Sequence, residues 1–241
     1  MLKKLTKDMR RIFLVSFLAI LTISPIQTRY WSSDEGELEI SPFPDTNWTV
    51  LEPLSFSKMD FGIDTDCVAY ENEKIEIKDC LGESHPTKWK SPDEWNVTEA
   101  ILADLNRDDR NELVMVVWRA FKPWPIDKFL PHGGRINSFQ DRKGMSCHLI
   151  LVGWDGKKYR ELWAGSSLID PIFDIRAADL DQDDNQELVA LEGQYDSTNQ
   201  SGAITVWEWS GFGFRLQDRV EGKFSNYAIV SANQKVWILS E

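Results

Sequence analysis

A short acidic stretch that occurs twice decides the fold of this chain. Residues 103–114 read ADLNRDDRNELV, and residues 178–189 read ADLDQDDNQELV. Each stretch holds an acidic loop followed by the start of an apolar run of the kind that strands prefer. An internal repeat of this type predicts a repeat architecture, in which neighbouring units stack and share a core.

A second match follows each acidic stretch. Residues 148–163 read HLILVGWDGKKYRELW, and residues 203–217 read AITVWEWSGFGFRLQ. Both segments place a strand, a Trp, a tight turn and another strand in the same order, with Asp-Gly or Ser-Gly at the turn. The unit is therefore strand, acidic loop, strand, variable loop, strand, hairpin and strand. We assign one unit to residues 97–163 and another to residues 172–220.

Units of four short strands predict an all-β protein, namely a β-propeller-like array of four-stranded blades with few blades. The chain ends supply a third blade and close the ring if hairpins at residues 66–79 and 225–240 contribute two strands each. The alternatives are that residues 36–62 add strands, that the array is open, or that two chains complete it together. Trp154 and Trp209 stand at equivalent places in the two units, which favours packing between blades over stacking on sugars.

The first residues have the layout of a secretory signal. Residues 1–11 carry five basic side chains and one acidic one, and an apolar run that is short for a membrane span follows. This pattern predicts a signal peptide or an uncleaved membrane-anchor helix over residues 1–29, a spacer over residues 30–62 and the repeat domain over residues 63–241. Because the positive flank stays inside, both alternatives place the repeat domain outside the cytoplasm.

Composition and cysteine usage narrow the function classes. The chain has 241 residues, of which 42% are hydrophobic and 27% charged, as in globular proteins. A formal net charge of −12 excludes a basic nucleic-acid groove as the main function. In an oxidising compartment, Cys67 and Cys80 would join across a predicted hairpin in a disulfide bond, the alternative being two buried free thiols. Cys147 is left over and falls in a predicted strand.

The acidic loops carry the most specific chemistry. Counted from the first Asp, positions 1, 3, 5 and 9 hold oxygen-bearing side chains in both loops, and position 7 would add a backbone carbonyl. Oxygen ligands of this kind suit Ca²⁺, whereas the loops contain no Cys or His for zinc or copper. An EF-hand is excluded because its twelfth position would be Met115 or Ala190, inside an apolar run. The candidate ligands are Asp104, Asn106, Asp108, Arg110 and Glu112 in one loop, and Asp179, Asp181, Asp183, Asn185 and Glu187 in the other.

The same spacing predicts how the two loops would differ as ion sites. The sequence implies about two Ca²⁺ ions, one in each loop. The second loop offers four carboxylates and the first offers three, because Asn106 is neutral, so we expect the second loop to bind more tightly. The alternative is that both loops are solvated acidic turns that hold no ion.

These loops resemble the repeats of the FG-GAP/VCBS type, which occur in integrin-like propellers and in many exported bacterial proteins. Family loops run D-x-D-x-D-G-x-x-D/E and bind Ca²⁺ between blade strands, and positions 1, 3, 5 and 9 of both loops fall on family ligand positions. The resemblance covers each loop with the strand after it, and more loosely the rest of residues 97–220. We expect the ion to have a structural role, because it would hold a loop whose carboxylates otherwise repel one another. Asp109 and Asp184 replace the family Gly at position 6, and the FG and GAP marks are not evident.

A long variable loop, residues 121–146, distinguishes the first unit. It is basic and carries interleaved aromatic residues, whereas the second unit has only residues 193–202 at that place. Long loops on a repeat scaffold often carry binding, so we expect this loop to meet an anionic glycan or an acidic surface protein. The alternative is a loop folded over its blade with the aromatic side chains buried. The candidate binding residues are Trp124, His132, Arg135, Arg142 and Lys143.

Together these patterns predict an exported or membrane-tethered calcium-binding repeat protein that is not an enzyme. It would act at the cell surface as an adhesion or ligand-binding module, or as a scaffold that presents itself or assembles with copies of itself. The alternative is a hydrolase of a cell-surface polymer with a site assembled from scattered residues. The chain has no G-x-S-x-G, H-E-x-x-H or phosphate-loop motif. Cys147 and His148, as neighbours on a predicted strand, point to opposite faces.

Overall fold

The computed structural model shows a protein built from antiparallel strands. It describes residues 29–34, 37–40, 49–51, 66–80, 86–131, 138–232 and 235–240. The regular elements in these ranges are strands apart from one short 3-10 helix, Pro125–Phe129, which confirms the predicted all-β class. The helix expected over residues 1–29 lies, apart from Arg29, outside the described residues. Within them, no helix is long and apolar enough to cross a membrane.

The described strands are numbered in chain order. They are β1 (Arg29–Asp34), β2 (Glu37–Ile40), β3 (Thr49–Val50), β4 (Asp66–Glu71), β5 (Lys74–Asp79), β6 (Thr87–Lys90), β7 (Asn96–Ala103), β8 (Glu112–Ala120), β9 (Met145–Trp154), β10 (Tyr159–Ala164), β11 (Ile172–Ala178), β12 (Glu187–Glu192), β13 (Gly202–Trp209), β14 (Phe214–Phe224), β15 (Tyr227–Ala232) and β16 (Lys235–Ser240).

Over the described residues these strands form four sheets, none of which closes on itself. The first repeat sheet has the order β7–β8–β9–β10, and the second repeat sheet has the order β11–β12–β13–β14. Each is a simple meander, which confirms the four-stranded units predicted over residues 97–163 and 172–220. The disulfide sheet contains β4, β5 and β6, and the terminal sheet has the order β2–β1–β16–β15–β3.

The chain ends combine differently from the prediction. The expectation that the hairpins at residues 66–79 and 225–240 share one blade is wrong, because β4 and β5 pair with β6 instead. The C-terminal hairpin pairs with β1 on one side and with β3 on the other, so the segment expected as a spacer, residues 30–62, contributes strands. The described strands therefore make four sheets rather than three. The disulfide sheet directly precedes β7 in the chain and covers the first repeat sheet, as sequential elements commonly do.

Among the described residues the apolar core has four clusters, of which three form layers between four consecutive sheets and the fourth holds Val230, Ala232 and Trp237 of the terminal sheet. One layer separates the disulfide sheet from the first repeat sheet, the next separates the two repeat sheets, and the third separates the second repeat sheet from the terminal sheet. Strand β8 contributes apolar side chains to two core layers, one on each face of its sheet. Its Leu113, Met115 and Val117 face the disulfide sheet, and its Val114 and Val116 face the second repeat sheet. Because successive side chains alternate between faces, a sheet buried on both sides needs a continuous apolar run.

The equivalent Trp residues of the two units pack against other aromatic rings, as predicted. Trp154 meets Tyr159 edge-to-face with ring centroids 5.2 Å apart. Trp209 meets Trp163 of the first repeat sheet at 5.9 Å and Phe214 of its own sheet at 5.3 Å. Edge-to-face pairs of this kind add to the free energy gained from burying the rings. Trp209 therefore helps to hold the second repeat sheet against the first.

A covalent link fastens the hairpin of β4 and β5. Cys67 and Cys80 form a disulfide bond with their Cα atoms 5.7 Å apart. The strands are joined by Asn72 and Glu73, whose φ angles of 51° and 60° are those of a type I′ hairpin turn. Cys147 in β9 is free and fully buried.

Removal of the disulfide bond is expected to destabilise the protein. The Cys67→Ser/Cys80→Ser variant should lose about 3 kcal/mol of unfolding free energy, because the bond spans a sequence separation of 13 and restricts the unfolded chain. Equilibrium unfolding in urea measures this loss. Wild-type protein in a reducing agent is the control and should lose a similar amount. An unchanged free energy in the variant would contradict the prediction.

Candidate metal centres

The two acidic loops lie at equivalent edges of the repeat sheets. The first acidic loop, residues 104–111, joins β7 to β8, and the second acidic loop, residues 179–186, joins β11 to β12. Their backbones turn in the same way, with φ angles of 66° and 64° at Arg107 and Asp109 and of 66° at both matching positions of the second loop. Position 6, where the resembled family has Gly, is thus left-handed in both loops. Asp adopts this conformation more readily than most residues do.

The first acidic loop brings three carboxylates together. Asp104, Asp108 and Glu112 each have a ligand oxygen, and these oxygens all lie within 4.8 Å of one another. Glu112 is the first residue of β8 and is 1% exposed. Its Oε2 accepts the backbone N–H groups of Leu105 at 3.2 Å and Asn106 at 3.3 Å, and its Oε1 accepts Nδ2 of Asn106 at 2.7 Å. The buried glutamate therefore ties the loop to the strand that follows it.

The second acidic loop has the same core with one difference. Asp179, Asp181 and Glu187 form the cluster, again with ligand oxygens within 4.8 Å of one another. Asp183 is turned toward Asn185, whose backbone N–H and Nδ2 donate to its carboxylate at 2.8 and 3.0 Å. The first loop thus clusters positions 1, 5 and 9, and the second clusters positions 1, 3 and 9.

Each loop contains a buried oxygen that has no hydrogen-bond partner. Glu187 is 1% exposed, and its Oε1 is unpartnered while its Oε2 accepts the N–H of Leu180 at 2.9 Å. In the first loop the unpartnered oxygen is Oδ1 of Asn106. A buried polar atom without a partner costs roughly 1–3 kcal/mol, and few native groups are left in this state. A cation bound beside these oxygens would give each of them a partner.

Burial and mutual repulsion raise the pKa values of the two buried glutamates. Burial raises the pKa of Glu112 to about 8, with Asp108 and Asp104 adding to the effect and backbone N–H donors opposing it. Burial raises the pKa of Glu187 to about 7, with further contributions from the three aspartates of its loop. Burial and Asp183 also raise the pKa of Asp181. Each loop is therefore electrostatically strained without a positive charge.

The three clustered oxygens of each loop lie within 4.8 Å of one another, close enough to contact a single cation. The donors are carboxylates, with one amide oxygen in the first loop, which suits a hard cation. Arg110 and Asn185 stand at the positions predicted to offer backbone carbonyls. Arg110 lines a cleft of about 390 Å³ together with Asn106 and Asp108.

The two loops also contact each other. Gln186 of the second loop accepts the backbone N–H of Asp104 through its Oε1 at 3.0 Å. Arg107 of the first loop pairs with Glu208 on β13 at 3.2 Å. Partial burial acts to raise the pKa of Asp183, but hydrogen bonds from Asn185 and the charge of Arg107 outweigh this effect and lower the pKa. The repeat pattern did not predict this contact, because Gln186 is not at a candidate ligand position.

Comparison with models of protein families, with curated proteins and with solved structures found no match to this chain.

The structure describes three of the five candidate residues of the predicted binding loop, residues 121–146. Trp124 is 58% exposed and lies just before the 3-10 helix. Arg142 pairs with Asp196 at 3.3 Å, so it contacts the variable loop of the second unit, and Lys143 is exposed in the adjacent turn. His132 and Arg135 lie outside the described residues.

Beside this loop, Ser146 and His148 form a hydrogen-bonded pair that was not predicted from the sequence. His148 on β9 contacts Oγ of Ser146 through Nε2 at 2.9 Å and the carbonyl of Gly165 through Nδ1 at 3.0 Å. Ser146 is fully buried, so this pair is not accessible as a nucleophile. Cys147 packs instead between the repeat sheets, where burial raises the pKa of its thiol to about 12. The pattern Ser-Cys-His in a strand was the signal available in the sequence.

The buried glutamates predict an unusual pH dependence for the metal-free protein. Both folded-state pKa values lie above the ordinary value of 4.5, so the folded chain holds protons that the unfolded chain has released. In a chelator, the contribution of these groups to stability should be fully present below about pH 4.5 and should be lost as pH rises through 7 and 8. Thermal melts from pH 5 to 8 should show a smaller decline in a Glu112→Gln/Glu187→Gln variant. Parallel pH profiles for the two proteins would contradict the prediction.

The contact between the loops predicts that Gln186 of the second loop affects the cation affinity of the first loop. Gln186→Ala removes the acceptor for the Asp104 N–H and should weaken cation binding at the first loop several-fold, the size expected from about 1 kcal/mol for one hydrogen bond. Calorimetric titration measures this. Asn111→Ala changes the matching position of the first loop and serves as the control. Equal affinities in the two variants would show that the contact carries no coupling.

Proposed function

We propose that this chain is an exported or membrane-tethered calcium-binding repeat protein that serves as a non-catalytic binding module at the cell surface. The ions, one in each acidic loop, would have a structural role. They would hold loops whose carboxylates otherwise repel one another at the edge of the repeat sheets.

The observation that carries the proposal is the pair of matched, incompletely satisfied acidic clusters. Two loops of the same sequence pattern and the same backbone path each gather three carboxylates, one of them buried. Each also leaves one buried oxygen without a partner. A solvated acidic turn would instead expose its carboxylates to water. Burying Glu112 and Glu187 inside like-charged clusters costs free energy that a divalent cation would recover.

The arrangement of the sheets supports a propeller-like build. The repeat sheets are four-stranded meanders, and the first strand of one, β7, lies against the first strand of the other, β11. Four consecutive sheets are stacked with apolar layers between them, and the first and last described strands, β1 and β16, pair in one sheet. Pairing of first and last strands is one way in which repeat arrays limit exposed edges.

The location is inferred from two features. The basic start and the apolar run of residues 12–23 favour export. The disulfide bond between Cys67 and Cys80 is typical of proteins in an oxidising compartment.

The binding role rests on the side chains that the long loop exposes. Trp124 and Phe129 are 58% and 84% exposed, contrary to a loop folded over its blade with its aromatic side chains buried. Asp127 is buried and holds the start of the 3-10 helix by accepting the N–H of Trp124 at 2.7 Å. An exposed aromatic side chain on a braced loop is a common feature of binding surfaces.

The proposal predicts that Ca²⁺ stabilises the fold. Thermal melts of the full chain, kept in a non-ionic detergent because of its apolar start, should shift upward with Ca²⁺ and return with chelator. Saturation at about a hundred times Kd adds roughly 2.7 kcal/mol per independent site. Mg²⁺ should give a smaller shift, because it demands tighter octahedral geometry.

Matched variants separate an ion site from a general charge effect. Asp181→Asn removes a carboxylate of the second cluster, and Asp184→Asn removes the same charge from the neighbouring position 6, outside the cluster. The first variant should lose much of the Ca²⁺ shift, and the second should keep it. Equal loss in both, or no shift in the wild-type protein, would refute calcium binding by these loops.

A further inference from the structure

A cleft beside the long loop has the features of a separate ligand site. Its volume is about 500 Å³, within the usual range for small-ligand sites. It lies where the end of β8, the start of the long loop and the segment after β10 meet. We name it the Arg119 cleft, and the lining residues that matter below are Glu94, Trp95, Arg119, Trp124, His148 and Ser166.

Arg119 is a half-buried cation without a carboxylate bound to it. Among the described residues it makes no ion pair; its guanidinium lies over the ring of Trp95, 5.9 Å from the centroid. Burial lowers the pKa of Arg119, while Glu161 and Glu94 at longer range act in the opposite direction. A guanidinium desolvated in this way, whose N–H fork makes its one hydrogen-bond contact among the described residues with His148, is a preformed partner for a carboxylate.

The contact of Arg119 with His148 leaves that fork available. Nη2 of Arg119 lies 3.3 Å from Nδ1 of His148, and the same Nδ1 lies 3.0 Å from the carbonyl of Gly165. A guanidinium has five N–H groups, and this contact occupies at most one of them. The imidazole therefore helps to position the guanidinium and leaves most of its N–H groups available.

Trp124 supplies an exposed aromatic wall at the rim of the cleft. Trp124 is 58% exposed as a residue. Its backbone lies between Pro123 and Pro125, and its carbonyl accepts the N–H of Asp127 at 3.0 Å. A rigid, exposed indole offers a large apolar face at low entropic cost.

The second repeat sheet shows that the fold does not require these groups. Val117 and Glu192 stand at matching places in β8 and β12, and their cross-strand partners are His148 and Ala203. The polar group that positions Arg119 is therefore an alanine in the other unit. In the second unit the buried carboxylate of Glu192 accepts hydrogen bonds from Thr205, Trp207 and Arg219, so its polar groups satisfy one another. Arg119 has no such carboxylate partner among the described residues, which points to a ligand.

We propose that the Arg119 cleft binds a carboxylated sugar ring of an acidic glycan. The sugar carboxylate would lie on the guanidinium of Arg119 and the apolar face of the ring on Trp124, with Glu94 and Ser166 within the cleft for ring hydroxyls. Arg119 and Lys122 outnumber Glu94 among its charged lining residues, so the cleft is locally positive in a chain of net charge −12. This inference rests on the proposed function, because it names the ligand class of the binding module.

Calorimetric titration of the full chain with trigalacturonate tests the inference, with neutral maltotriose and an acidic tripeptide as comparison ligands. The detergent must contain no sugar. We expect trigalacturonate to bind, Arg119→Gln to weaken it tenfold or more, and Trp124→Ala to weaken it about tenfold. Arg215→Gln and Phe212→Ala, which change an exposed Arg and an exposed aromatic side chain outside the cleft, should stay within twofold.

Several outcomes would overturn the inference. These are no binding of trigalacturonate, equal binding by Arg119→Gln, or equal binding of maltotriose. Binding of the tripeptide as tightly as the trisaccharide would assign the cleft to acidic peptides instead. If Arg119→Gln fails to fold, the exposed Trp124→Ala variant decides, since it removes no core contact of the sheets.

The titration is run with Ca²⁺ and with chelator, so that its failure is separable from that of the proposed function. Stabilisation by Ca²⁺ without trigalacturonate binding would reject the cleft assignment alone. Trigalacturonate binding without any effect of Ca²⁺ on melting would reject the calcium loops and leave the cleft assignment standing.

Discussion

The burial of both faces of the repeat sheets is the constraint on which the rest of this structure depends. Strand β8 sends Leu113, Met115 and Val117 into one core layer and Val114 and Val116 into the next, and β12 divides its side chains in the same way. Such strands have no polar face. Polar chemistry is therefore confined to the ends of the strands, where loops leave the apolar layers.

The acidic loops are the consequence of this confinement at one edge. Glu112 and Glu187 open the two strands, and each buries its carboxylate under the loop that precedes it. The carboxylates accept hydrogen bonds from backbone N–H groups of Leu105, Asn106 and Leu180. The same arrangement brings like charges close together around a buried oxygen. The carboxylates of each loop therefore repel one another, and a divalent cation would remove this repulsion.

The departure from the repeat is as informative as the repeat itself. Gly156 and Gly211 close equivalent hairpins, and Trp154 and Trp209 pack at equivalent places, because every unit needs a turn and an aromatic contact there. His148 has no polar counterpart in the second repeat sheet, where Ala203 takes its place. In the second unit the buried Glu192 is bound by Arg219, whereas Arg119 of the first unit has no carboxylate partner among the described residues.

Local patterns in the sequence were sufficient for the all-β class, the two four-stranded units, the hairpin turns and the spacing of the acidic loops. Each of these depends on neighbouring residues, through alternation, turn chemistry and fixed spacing. Only the tertiary structure decided that β1 pairs with β16, that Glu112 and Glu187 are buried, that Asp183 turns to Asn185, and that separate segments meet around Arg119. Strand pairing between chain ends and the burial of one carboxylate among several are set by the packing of the whole core, which no local pattern contains.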